Sequence, residues 1–543
     1  MKKFLAGILT LVMVLSMCSF AMADDTITVT MFVGNPLDQP TSDNKIYKKI
    51  EEELGIKFEF EFLAGDLDET LGTKLMGEDY PDLFDGGNSA EKLINAGALI
   101  NLLPYITEEG TPNLYAHVQK VYDDVVTKDE DGNDALYIIP NYGINYNEII
   151  TLECNGPAFF LQKQVLEWAG YPQIKTLDQY FDVIEKFITA NPTNENGAAY
   201  EGFAILCEGW RHFCLINPVQ HLMGQPNEGE VFINRETAEV ESFINKDYAK
   251  PYYKKLNEMF NKGLINRDTF VMNYDQYIAK LSSGTVLGMF DQTWDFGTAT
   301  AALTDAKMYK NTYIALPLVY DESYGFGTIS EQYLNGSVPN KDRGAGISVN
   351  CEYPERMIQL YETLLSDEWQ KILQWGIEGE DYYVENGRML MTKEQYENRS
   401  NAAWKNANQA FAIWESLPKK QGTMDDGNAW SPDQQGEIFK ALKMNEYDQA
   451  FLSAYGYSRP ADFFNAPCEL APWGEAWQID KSAIQDDYDD FLLIQDQDLP
   501  KIIMSADDAE FEANWTAFVD RIAAPAAVHD EHMQAEVNKL IGK

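Results

Sequence analysis

Basic residues are scarce in this chain of 543, with 42 Lys and Arg against 86 Asp and Glu and a formal net charge of −44. A chain so acidic lacks the positive surface that holds a phosphate backbone, which excludes a nucleic-acid partner. Cysteine is rarer still, at 6 residues, so the fold rests on its core and not on a disulfide framework. Cys207 and Cys214 permit one local bridge at most. His-Glu-x-x-His, Gly-x-Ser-x-Gly, phosphate-loop and Cys-x-x-Cys motifs are all missing, so no catalytic residue, metal site or cofactor is assigned. Scattered carboxylates alone barely favour a hydrolase, because among 86 acids some pair falls at glycosidase separation by chance.

Long apolar runs are also missing, with one exception at the N-terminus. Lys2 and Lys3 precede an apolar stretch from Phe4 to about Phe20, followed by Ala21-Met22-Ala23 and then Asp24-Asp25. A basic start, an apolar centre and a small-x-small site make a secretory signal peptide, cleaved after Ala23. Leu15-Ser16-Met17-Cys18 offers a lipid anchor through Cys18 instead, but Met17 stands where such a box carries a small residue. Export with plain cleavage is the expectation.

What is present is a large core, at 45% hydrophobic and 13% aromatic residues. Thr26 to Val33 and Lys57 to Phe62 alternate as strands, and between them Ser42 or Asp43 is placed to cap a helix through Ile46, Ile50 and Leu54 that stops at Gly55. Strand, helix, strand implies a parallel pair in an open α/β sheet. Ligands of such sheets sit beyond the strands' carboxyl ends, which points to Asn35 after Val33 and to Asn88 after Phe84. Asp129, Asp131, Gly132 and Asp134 suggest a calcium loop, but Thr127 and Ile138 would occupy its first and twelfth positions, so a hairpin turn into Leu136–Ile139 is the reading. Thr176 to Gln179 opens an amphipathic helix with a near capping box. Helices are expected near Tyr252–Asn261 and Tyr274–Ser282, then short strands at Val286–Phe290 and Tyr313–Pro317. His529 and His532 read as a solvated helix end; His212 and His221 read equally as ligand contacts or as satisfied buried side chains.

Alternating blocks of strands and helices are what two lobes produce when the chain crosses between them more than once, with a cleft at the crossings. The expected segments are a signal peptide at 1–23, a first lobe at 24–150, a second at 151–285, a return at 286–348, and the remainder of the second lobe at 349–543. The 11 Trp and 30 Tyr gather in polar loops around Trp210, Trp294, Tyr382 and Trp430. Aromatic planes beside Asp, Asn, Gln and Arg suit the apolar faces and hydroxyls of a sugar. Helical Trp168, Trp369, Trp375 and Trp515 are expected in the core, and Trp430 and Trp473 are weaker site candidates.

Several segments, in order, resemble the large type-1 extracellular solute-binding proteins of bacterial ABC importers, a family of lipoprotein-like oligosaccharide binders. They are Ile27–Phe32, Gly77–Phe84, Leu136–Pro140, Val165–Gly170 with Lys175–Tyr180, Ser283–Trp294, Trp375–Tyr382 and Leu499–Met504. The resemblance implies an α/β, helix-rich, two-lobed periplasmic-binding-protein-like fold of type II with the ligand cleft between lobes. It implies a monomer that captures an oligosaccharide outside the cell and hands it unaltered to a membrane permease. By position, Trp294 corresponds to the family's cleft tryptophan, with Asp291 on its loop, Asn35 and Asn88 at sheet ends, and Tyr142 near the first crossover. Trp210, Arg211, Glu378 and Tyr382 are the contacts expected from the second lobe. A secreted glycoside hydrolase, or a binder of peptides or other polar solutes on the same scaffold, are the competing readings.

Overall fold

The computed structural model describes residues 26–129, 131–154, 156–321, 339, 343–465 and 471–543. The expected signal peptide, Cys18 and Cys468 lie outside them. The chain divides into two compact units, Met1–Ile150 with Ser337–Leu442, and Thr151–Gly336 with Lys443–Lys543.

The first unit is built on a four-stranded sheet in the order Ala345–Ile347, Leu83–Asp85, Ile27–Val33, Ile56–Phe62. Ile27–Val33 runs parallel to both inner and outer neighbours, in register from Ile27 opposite Ile56 to Val33 opposite Phe62, while Ala345–Ile347 is antiparallel at the other edge. The helix Lys45–Leu54 joins the first two strands. Its cap is Asn44, not Ser42 or Asp43: the Asn44 side chain accepts from the backbone N–H of Ile46 and Tyr47, both at 3.0 Å. The same amide donates to the carbonyls of Asn406 and Gln409, each at 2.9 Å, which only a residue whose side chain both donates and accepts can do. Gly55 ends the helix at φ +63°. Val29, Met31 and Val33 pack with Ile46 and Ile50 on one face of this sheet, against Met357, Leu360 and Leu364 of the helix Pro354–Leu364.

The second unit carries its own sheet, in the order Tyr313–Leu316, Ala158–Gln162, Val286–Asp291, Glu201–Ala204. Here the expected return at 286–348 is corrected. Val286–Asp291 and Tyr313–Leu316 both pair antiparallel with Ala158–Gln162, and among the described residues of this segment the strand that rejoins the first sheet is Ala345–Ile347. An apolar run such as Val286–Phe290 marks a buried strand without naming its partner, and that partner stands more than a hundred residues earlier. Residues 349–442, expected in the second lobe, fall in the first unit for the same reason.

Helix Leu177–Ala190 begins with a complete capping box between Thr176 and Gln179. Its Tyr180 crosses the sheet and donates to the Phe160 carbonyl at 2.6 Å, and Gly288 leaves room for it: a Cβ there would lie 2.1 Å from the Tyr180 hydroxyl. Helices Gln485–Ile503 and Asp508–Leu540 close the chain. The solvated end expected at His529 is corrected, since that ring is buried, stacked on Phe491 at 4.9 Å and Tyr488 at 5.6 Å. Leu136, Ile138 and Ile139 are buried but pair as no strand; the hairpin is confined to Thr127–Lys128 and Asp134–Ala135, with Asp129 accepting from the N–H groups of Asp131 and Asn133.

Candidate functional site

In the second unit, strand Val286–Asp291 ends in the loop Gln292–Phe296, and a short turn, Gly209–His212, stands beside it. These loops bring Trp294 and Trp210 together, ring centroids 5.7 Å apart and planes 18° from parallel. Phe213 extends the row, 6.1 Å from Trp210 at 15°. The two indoles are 57% and 61% exposed. Single exposed hydrophobics are ordinary, but two indoles in an offset stack present a contiguous apolar surface that a ligand covers favourably.

Polar groups fix that plane from below. The Arg211 guanidinium sits 4.3 Å from the Trp210 ring centre and 4.0 Å from that of Tyr274. Its Nε donates to Asp295 Oδ1 and Oδ2 at 2.9 and 3.2 Å, and Tyr274 Oη donates to the Asp295 carbonyl at 2.6 Å. Trp294 Nε1 donates to Gln292 Oε1 at 2.9 Å. Arg211, expected to touch ligand, is thus neutralised by a buried carboxylate and serves as the clamp of the platform. Asp291, also expected as a contact, is fully buried: its carboxylate accepts from Tyr277 Oη at 2.7 Å and from the Gln292 N–H at 2.7 Å. Burial, reinforced by the nearby Asp295 charge, pushes the Asp291 carboxyl up to about 7. It anchors the loop that carries Trp294. A side chain that caps its own loop looks the same in sequence as one that reaches a ligand.

The first unit gathers a separate polar cluster at the carboxyl ends of Ile27–Val33 and Leu83–Asp85. The two loops touch closely, since a Cβ on Gly34 would meet the Gly87 nitrogen at 2.7 Å. Asn35 Nδ2 donates to Glu415 Oε1 at 3.0 Å, Arg343 Nη2 reaches the same oxygen at 3.2 Å, and Arg343 Nη1 donates to Asn88 Oδ1 at 2.9 Å. Asn35 and Asn88 are therefore tied together through Arg343 and Glu415. Asn141 adds a bond to the Glu415 carbonyl beside the half-exposed Tyr142, and Ser416 Oγ donates to buried Asp85 at 2.6 Å. Arg343, Glu415 and Ser416 were not foreseen. They lie more than 250 residues from the loops they join, and no local pattern marks them.

Glu378 and Tyr382 were expected in the second lobe and are found in the first unit. Tyr382 is buried against Trp375, centroids 5.4 Å apart, with Met389, Met391, Met424 and Trp430 around them. It is core, and Glu378 is an exposed residue bridged to it through the backbone. Trp430 and Trp473 are likewise buried, whereas Trp168, expected inside, is 46% exposed. His221 is buried against Phe159 and Phe290, and burial drives its imidazole down to about 4. Among the described residues, Cys154, Cys207, Cys214 and Cys351 are free thiols, no group of three His, Cys, Asp or Glu is placed to hold a metal, and no helix is long and apolar enough to cross a membrane.

Residues 45–377, more than half of the chain, match the sequence model of a bacterial extracellular solute-binding protein. The chain belongs to that family. A comparison with curated protein sequences returned no match. Solved structures resemble this solute-binding protein over nearly its whole length. An HMO-binding, ABC-transporter-associated solute-binding protein from Bifidobacterium longum infantis is 17% identical, with a TM-score of 0.65 over 95% of this chain and 99% of its own. A second extracellular solute-binding protein from Bifidobacterium longum subsp. infantis is 16% identical at 0.66, over 96% and 99%. The S. pneumoniae ABC-transporter substrate-binding protein FusA, in complex with kestose, is 15% identical at 0.59, over 94% and 99%. At these identities the likeness is one of fold.

Proposed function

We propose that this solute-binding protein is the substrate-binding component of an ABC importer, that it captures an oligosaccharide on the Trp210–Trp294 platform, and that it releases the sugar unaltered to a membrane permease. The observation that carries the reading is the pair of parallel, more than half-exposed indoles, braced from beneath by the Arg211–Asp295 pair. A pyranose presents an apolar C–H face to such a plane and hydroxyls to the groups around it. In the first unit the same reading assigns sugar hydroxyls to the amides of Asn35 and Asn88 and to Tyr142. Two of the similar structures are saccharide binders by name, one of HMO and one in complex with kestose, which supports a sugar over a peptide. Export, with cleavage after Ala23, and action as a monomer complete the proposal.

The test is a thermal-shift screen against oligosaccharides, monosaccharides and peptides, followed by analysis of the recovered ligand. A ligand at 100 times its Kd raises folding stability by about 2.7 kcal/mol, which shows plainly in Tm. Stabilisation by a glycan recovered intact is the expected result. Degraded glycan would move the assignment to a glycoside hydrolase, and stabilisation by peptides alone would refute the sugar reading.

A further inference from the structure

Apart from the platform, the first unit holds a cavity of about 280 Å³ between the segments 396–414 and Asp433. It adjoins a second of about 330 Å³, the two sharing Lys405, Gln409 and Phe411. Together they have the volume of a small-molecule site. Phe411 and Trp414 give the wall an aromatic face, their rings 5.4 Å apart and 16° from parallel.

The charge in this cavity is unusual for so acidic a chain. Arg399 lines it and makes no side-chain hydrogen bond or ion pair; burial disfavours its charge and holds its pKa below the ordinary arginine value. Lys405 also lines it, with its ammonium 5.3 Å from the Phe411 ring centre and no carboxylate partner. Among the described residues, Asp433 is the acid on the wall beside Arg399 and Asp38 lines the adjoining cavity, while Asp381, the other acid whose field reaches Arg399, is taken up by Lys45 at 2.6 Å. Lys419 stands behind Trp414, its Nζ 3.5 Å from the ring centre. Arg399 is half-buried, with Asp433 near it but no ion pair formed, and a partly desolvated cation left without a salt bridge contributes little to the ligand-free fold. Elsewhere the cations of this protein are widely paired with its surplus of acids, as Lys45, Lys163, Arg211 and Arg388 are.

We propose that this cavity is a subsite for an acidic sugar, in which Arg399 and Lys405 receive a carboxylate borne on a pyranose ring and the Phe411–Trp414 face takes the ring itself. A planar guanidinium matches a carboxylate through two parallel N–H···O bonds, and the pair strengthens where water is excluded. Asp433 and Gln409 then accept from or donate to the ring hydroxyls. Arg211, the other arginine beside exposed aromatics, is already committed to Asp295. The inference rests on the reading of the protein as a saccharide binder and narrows its substrate to anionic glycans.

The test is calorimetric titration of the whole mature protein with matched probes: trigalacturonic acid against galactotriose, and sialyllactose against lactose, at low and high NaCl. The two arms separate a hexuronate from a 2-keto sugar acid. In at least one arm the acidic probe is expected to bind ten-fold or more tightly than its neutral counterpart, with an advantage that shrinks in high salt. Arg399→Gln is expected to abolish that advantage while changing neutral-sugar affinity less than two-fold, and Arg399→Lys to retain part of it. The ligand-free R399Q protein is expected to melt no lower than wild type, because an unpaired cation has been removed. Equal affinity for acidic and neutral probes in both arms would overturn the inference and leave the saccharide reading standing, as would a loss in R399Q shared equally by both, or a lowered Tm. Failure of every sugar in this and the thermal-shift screen would overturn both.

Discussion

Truncating Trp294 tests the platform most directly. An indole offers about 200 Å² of apolar surface, of which 57% is exposed in the free protein. A sugar ring lying on one face covers about half of what is exposed, some 55 Å². At about 25 cal/mol per Å² this amounts to about 1.4 kcal/mol, or a tenfold rise in Kd. Trp294→Ala is therefore expected to weaken the best saccharide of the screen about ten-fold while leaving Tm nearly unchanged, because the side chain contributes little to the core. Trp210→Ala is expected to do the same. The double variant should lose less than the product of the two effects, because each ring stacks on the other and neither keeps its position alone. Calorimetry gives the Kd values and differential scanning fluorimetry the Tm. Single variants that bind within two-fold of wild type would refute the reasoning, because the exposed indoles would then not be the binding surface.

Gly288→Ala places a methyl 2.1 Å from the Tyr180 hydroxyl and is expected to destabilise the second unit by about 1–3 kcal/mol in chemical denaturation; an unchanged midpoint would show that Tyr180 moves freely. Asn44→Ala removes a cap and two bonds to the 406–409 segment, with an expected cost of about 1–3 kcal/mol, whereas Ser42→Ala should lie within about 0.5 kcal/mol of wild type. Glu228, buried and bonded to Trp473 Nε1 and the Ala476 N–H, has its carboxyl raised by burial to about 7 from the ordinary 4.5. The folded state holds this proton more tightly than the unfolded one, so its contribution is full below pH 4.5 and is lost as pH rises toward 7. Wild type should therefore lose stability relative to Glu228→Gln over that window, by on the order of 3 kcal/mol; a pH-independent difference between the two would contradict it. The free thiols of Cys207 and Cys214 predict a Tm unaffected by reducing agent.

Strictly local information was enough for much of the fold. The alternation in Ile27–Val33, the spacing of Ile46 and Ile50, the stop at Gly55 and the Thr176–Gln179 capping box each specify an element within a few residues, and each element is there. The polar setting of Trp210 and Trp294 suggested exposure, and both are exposed, but the same setting surrounds Tyr382 and Trp430, which the fold buries. Even so, the cap moved from Ser42 or Asp43 to Asn44, since three adjacent polar residues compete and the winner is the one that also reaches Asn406 and Gln409.

The sequence by itself determined many of the secondary elements, the need for a core without disulfides and the acidic surface, because those depend on short-range periodicity and on composition. Tertiary structure alone decided which sheet received Val286–Asp291, that Asp291 and Tyr382 face inward, and that Arg211 is spent on Asp295 while Arg399 is not. Strand pairing, burial and ion pairing are each settled by a partner tens to hundreds of residues away, and an apolar run or a lone charge carries no record of which partner the fold supplies.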